Sequence, residues 1–237
     1  MIVFRTVEEL VDLAEKEQVK IAEIMIRREM DVFSLSRKAV VNRMDEQLTV
    51  MEEAIDRGLK GVASISGLTG YDAVKTQLKR TREEMLDFLF TSGAFGYVVA
   101  NQAFISGARG GCQAEVGSAA AMAAAAVVEM AKGTPKQSAH AFSITMKNML
   151  GLVCDPVAGL VEVPCVKRNA MGASQAIVSA DMALAGVESK IPADEVIGAM
   201  YQIGKQMSPQ LKETAEGGLA NTPTARRLEQ EIFAKQS

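Results

Sequence analysis

Apolar positions in this chain recur every three or four residues from one end to the other, the spacing that places them on one face of an α-helix. Val7, Leu10, Val11 and Ala14 follow Thr6, and Glu9 three residues after Thr6 completes a capping-box pattern. Ser36 opens a longer helix carried by Val41, Met44, Leu48, Met51 and Ile55, with Gly58 as its stop. Thr81 with Glu84 predicts another capped start, and Thr134-Pro135 puts proline at a first helical position with Gln137 at the third. Further helices are expected at about 113–131, 135–150, 166–185, 193–206 and 223–235, punctuated by Gly133, Gly151 and Gly186. Sustained period-two alternation rich in β-branched residues is missing, so the pattern predicts an all-α fold, a multi-helix globular domain.

Composition sharpens this picture without changing it. With 237 residues, 48% hydrophobic, the chain can bury one large core. Residues 1–237 read as a single helical domain. Five per cent aromatic content and no Trp, beside abundant Ala and Gly, suit close helix packing, and the 14 Met residues read mainly as core filler. The most apolar windows, Phe88 to Ser106 and Ser118 to Met130, carry polar interruptions and read as buried helices, not membrane spans. Twenty-six Lys and Arg against 29 Asp and Glu, well mixed, argue against nucleic acid and anionic membrane as partners. The start of the chain shows no secretory pattern, and an odd count of three cysteines fits a reducing cytoplasm better than a disulfide framework.

The chemistry concentrates around those cysteines. Cys112, Cys154 and Cys165 each sit in a turn flanked by Gly or Pro: Gly110-Gly111-Cys112, Cys154-Asp155-Pro156 and Val163-Pro164-Cys165. Three thiolates can hold a metal centre and leave one coordination position open. Their spacing matches no compact metal signature, so three buried free thiols is the competing reading, and a cysteine hydrolase using Cys112 and His140 a remote one. Two glycine-rich loops, Ser64 to Gly70 and Ile105 to Cys112, offer backbone N–H groups and hydroxyls that suit a carboxylate. Ser66, Gly67, Thr69 and Ser106 are candidates for holding it, with Arg109 beside them. His140, the one histidine, falls inside a predicted helix, where a structural role is commoner than catalysis.

The run Gly110 to Glu115, the run Lys147 to Ala170, Ala180 to Gly186, Gly217 to Ala220, Thr222 to Thr224 and, upstream, Leu48 to Gly70 closely resemble the α chain of iron–sulfur-dependent L-serine dehydratase. The resemblance implies a [4Fe–4S] cluster on Cys112, Cys154 and Cys165 with one open iron, and no pyridoxal phosphate. Glycine-rich loops would carry those cysteines, and the cluster-binding part would span about 104–237. It implies a carbon–nitrogen lyase of amino-acid degradation and gluconeogenesis that converts L-serine to pyruvate and ammonia. A separate β chain would supply the catalytic base, in a heterodimer or larger assembly. Lys147, Asn148 and Asn169 neighbour the cluster cysteines and would donate hydrogen bonds around them. Asp155 and Glu162 read as hydrogen-bonded loop residues. Between Ala73 and Thr81 the family carries several dozen more residues, so a segment near 71–80 is missing by comparison. Elimination of sulfide from cysteine by an equivalent cluster is one alternative, and the missing segment supports another, a non-catalytic iron–sulfur subunit.

Overall fold

A computed structural model describes residues 2–59 and 81–234. Among the described residues ten α-helices run in order: α1 (Val7–Glu17), α2 (Ile21–Phe33), α3 (Arg37–Leu59), α4 (Arg82–Gln102), α5 (Gly107–Gly110), α6 (Ser118–Met130), α7 (Pro135–Asn148), α8 (Cys165–Leu184), α9 (Ala193–Gln206) and α10 (Pro223–Ala234). Among the described residues there is no strand, and Cys154 with Lys212 forms an isolated bridge.

The predicted starts are built as expected. Thr6, Thr81 and Thr134 each accept from the backbone N–H three residues on, while Glu9, Glu84 and Gln137 reach back to the cap. Helix α2 begins differently. Its first N–H groups, on Ile21 and Ala22, point at the Glu129 carboxylate near the end of α6, which also accepts from the Thr91 hydroxyl on α4. A distant side chain therefore caps α2 and ties three helices together.

At the centre stands α6, packed against α4, α7 and α8. Its alanines Ala120, Ala121, Ala124, Ala125 and Ala126 are buried, and their small side chains let the neighbours approach closely. Gly96 on α4 extends the same logic, since a Cβ there would lie 2.6 Å from the Met122 methyl. The main core adds Phe95 stacked on Phe142 at 5.2 Å, with Phe4, Leu10, Ile24, Met146, Ile197 and Met200 around them. The methionines divide: Met146 and Met200 are fully buried, but Met51, Met171 and Met182 face solvent, so the expectation of a mainly core role holds for only part of the set. Ile55, placed on the apolar face of α3 by its periodicity, is likewise exposed.

The helix expected over 113–131 is divided. Gln113–Gly117 forms a π-helical turn ahead of α6. Gln113 explains the irregularity: its buried amide donates to the carbonyls of Gly110 (3.0 Å) and Met200 (3.1 Å) and accepts from the Gly151 N–H (2.9 Å). One side chain thus satisfies three buried backbone groups, and the wider turn is what lets it reach them.

Candidate metal centre

Three separate elements deliver the cysteines. Cys112 starts the helical run that becomes α6, Cys165 is the first residue of α8, and Cys154 lies in the connection between α7 and α8. Two thiols therefore stand at helix beginnings, where unsatisfied N–H groups favour negative charge. The loop carrying Cys154 is fixed by pairing with 211–213: Cys154 N–H donates to Leu211 O, and Glu213 N–H to Cys154 O, both at 2.8 Å.

All three sulfurs are buried, and they interact. The Cys154 S–H hydrogen-bonds Cys112, which brings the Cys112 thiol down to about 7, helped by Arg168 and opposed by burial. Cys154 is pushed up by the same bond, by burial and by the charges around it. Burial and the Cys112 charge push Cys165 up to about 11. Cys112 and Cys154 share one buried cluster with Val116 and Leu152, and the Cys112 charge reaches Cys165.

Arg168, one helical turn after Cys165, is the cation beside Cys112. Its Nη1 lies 3.6 Å from Cys112 Sγ, 2.7 Å from Val153 O and 2.9 Å from the buried Asp155 carboxylate. Asp155 in turn accepts from the Leu219 N–H at 2.7 Å. Asp155 is thus the hydrogen-bonded loop residue expected of it. Gly218, with φ +60°, leaves room for that carboxylate, which a Cβ would meet at 2.4 Å. Gly107 does the same for sulfur: a Cβ there would lie 3.0 Å from Cys154 Sγ, 2.7 Å from Glu115 Oε2 and 3.4 Å from Glu213 Oε2.

This arrangement suits an iron–sulfur cluster. Cys112 and Cys154 pack together, one of them near neutrality, Cys165 feels the Cys112 charge, and a guanidinium that can offset thiolate charge stands beside Cys112, with no side chain at Gly107. A predicted consequence is that Arg168→Gln strips the cation from Cys112 and leaves Asp155 buried without its counter-charge. Stability should fall by about 3 kcal/mol, read as the shift in urea midpoint, with Arg168→Lys recovering part of it.

The other candidates fall in several places. Ser106 caps α5 without using its hydroxyl and precedes Gly107, so the second glycine-rich segment is a helical turn beside Cys154. Arg109 is exposed, its guanidinium 5.0 Å from the centroid of the Phe104 ring. Lys147 is exposed, and Asn148 donates to Ile144 O within its own helix. Asn169 donates to the Cys165 carbonyl at 3.0 Å. Ser66, Gly67 and Thr69 lie outside the described residues. His140 lines a different cleft, between α1, α7 and α9. There burial holds its pKa down, and Nδ1 accepts from the Ser189 N–H at 3.3 Å. None of the three cysteines borders that cleft.

Sequence reasoning quoted Arg168 and Glu115 within larger runs but gave them no role. Each stands three residues after a cysteine at the start of a helix, a spacing that shares a face and was readable. Glu213 had no such signal, because only the pairing with Cys154 brings it near.

A family model described as "Serine dehydratase alpha chain" matches residues 73–220. The chain is 51% identical to "Probable L-serine dehydratase, alpha chain" of Bacillus subtilis (strain 168), over 97% of this chain and 95% of that protein. That alignment runs over 286 positions, more than this chain's 237 residues can fill. Identity is 61% to the protein of the same name from Latilactobacillus sakei, over 68% of this chain and 78% of that one. It is 55% to "L-serine dehydratase, alpha chain" of Peptoniphilus asaccharolyticus, over 60% and 49% respectively. This chain belongs to the serine dehydratase alpha chain family.

Proposed function

We propose that this chain is the α subunit of an L-serine dehydratase, a carbon–nitrogen lyase that converts L-serine to pyruvate and ammonia together with a β chain. The observation that carries the reading is the meeting of Cys112, Cys154 and Cys165 beside Arg168, in a chain half identical to relatives of that name. These three cysteines would hold a [4Fe–4S] cluster. When bound, it supplies a Lewis-acidic iron without a protein ligand, which helps a poor leaving group such as hydroxide depart.

The chain's own residues do the positioning. Arg168 helps the Cys154 hydrogen bond to lower the Cys112 pKa, and is itself held by Asp155 and the Val153 carbonyl. The Ser106 hydroxyl, unused as a cap and adjacent to Gly107, is the described group we assign to the substrate carboxylate. The Cα proton needs an acceptor, and His140, the one histidine, faces another cleft. A base from the β chain fills that role.

A non-catalytic iron–sulfur subunit is the second reading, favoured by the alignment positions that this chain does not fill. Anaerobic co-purification with a β chain and a pyruvate assay with L-serine separates them. We expect pyruvate in proportion to bound iron. Iron without pyruvate supports the second reading, and release of hydrogen sulfide from L-cysteine in its place points to desulfidation.

A further inference from the structure

We propose that Glu115, Cys154 and Glu213 form a seat for a single divalent transition-metal ion in the cluster-free chain, through which ferrous iron enters the centre. Two surface carboxylates alone would mark nothing. Here a thiol on a residue only 3% exposed joins them: one oxygen from each carboxylate and the Cys154 sulfur all lie within 4.8 Å of one another.

Each donor arrives from a different direction and is fixed independently. Glu115 lies in the π-helical turn, whose register is set by the buried Gln113 amide. Glu213 is pinned by its N–H bond to the Cys154 carbonyl, with a left-handed backbone at φ 66°. Gly107 borders all three donor atoms: a Cβ there would come 2.7 Å from Glu115 Oε2 and 3.0 Å from Cys154 Sγ, and would touch Glu213 Oε2 at 3.4 Å. The donor set is chemically selective. One thiolate with two carboxylates suits Fe²⁺, Co²⁺ or Zn²⁺, whereas Mg²⁺ and Ca²⁺ prefer all-oxygen shells.

Binding replaces the S–H bond of Cys154 by an S–metal bond, and the proton leaves to solvent with no change of oxidation state. Both carboxylates are exposed, while the thiols are buried. An ion from solvent thus meets Glu115 and Glu213 first and reaches Cys154 next. The passage from this seat to cluster assembly rests on the function proposed above, but occupancy of the seat does not.

Cobalt is the probe. Co²⁺ is titrated into reduced, cluster-free full-length chain, and the thiolate-to-cobalt charge-transfer band is followed. We expect one equivalent to bind with that band, Cys154→Ser to abolish it, and Glu213→Gln or Glu115→Gln to weaken affinity by about tenfold or more. Cys165→Ser should leave it within twofold. Circular dichroism melts exclude misfolding of each variant. The inference is overturned if no such band forms, or if the band survives both carboxylate variants at full affinity and is lost in Cys165→Ser, which would mean an ion held by thiols alone.

Iron–sulfide reconstitution of the same samples keeps the two readings apart. Cluster formation without a cobalt seat sinks only this inference. A cobalt seat without a cluster sinks the proposed function and the passage of iron that rests on it, and leaves the seat itself standing.

Discussion

Cys154→Ser is expected to abolish the iron–sulfur chromophore and, with it, pyruvate formation. Cys154 is the sulfur on which the whole centre turns. It bonds Cys112, lies against Gly107, and is tied by its backbone to Leu211 and Glu213. Serine removes the soft thiolate and almost nothing else, because the side chains match in shape and the two backbone bonds remain. The cluster-free variant should therefore unfold within about 1 kcal/mol of the parent, so lost iron cannot be blamed on a lost fold. Iron and acid-labile sulfide analysis after anaerobic reconstitution decides the matter. Full content of both in the variant would contradict the assignment of Cys154 as a ligand.

The largest effect on stability is expected at Glu129. Its carboxylate accepts from the N–H groups of Ile21 and Ala22 and from the buried Thr91 hydroxyl, so Glu129→Ala orphans donors on two other helices. Each sheltered donor left without a partner is costly, and together they should lower stability by about 3 kcal/mol or more, measured by urea unfolding of the cluster-free chain. Burial raises the Glu129 pKa above its ordinary 4.5 even though those three bonds pull it down. The folded chain then holds this proton more tightly than the unfolded one does. The contribution from this group is full below about pH 4.5 and declines as pH rises through the raised folded value. Glu129→Gln should remove that decline, and an unchanged pH slope in the variant would contradict the account.

Much of the fold was legible because its signals are local. Three capping boxes, a proline at a first helical position and glycine stops mark helix boundaries through interactions within four residues, and the helices begin and end near those marks. What was not legible depends on distance. Glu129 closes an alanine-rich helix and reads as a polar end, yet its partners lie 38 or more residues away. Gln113 bends the start of a predicted helix into a π turn because Met200 and Gly151 need hydrogen bonds, and neither is near it in sequence.

The site divides along the same line. The cysteines were visible from their turns and their resemblance to a known family, whereas their meeting depends on the pairing of 154 with 211–213. Arg168 sat in plain view one turn after Cys165, but its value comes from Asp155 and Cys112, which the fold brings to it. Lys147 and Asn148, close to Cys154 in sequence, show why neighbourhood along the chain misleads: one is exposed and the other bonds its own helix.

Everything in the proposed chemistry depends on Cys112, Cys154 and Cys165 gripping one inorganic core. Anaerobic reconstitution of the full chain with ferrous iron and sulfide, followed by metal and sulfide analysis, tests it most directly. We expect about four iron and about four sulfide per chain, lost together when any one of the three cysteines becomes serine. Iron bound without sulfide, or a full complement that survives all three single substitutions, would contradict it.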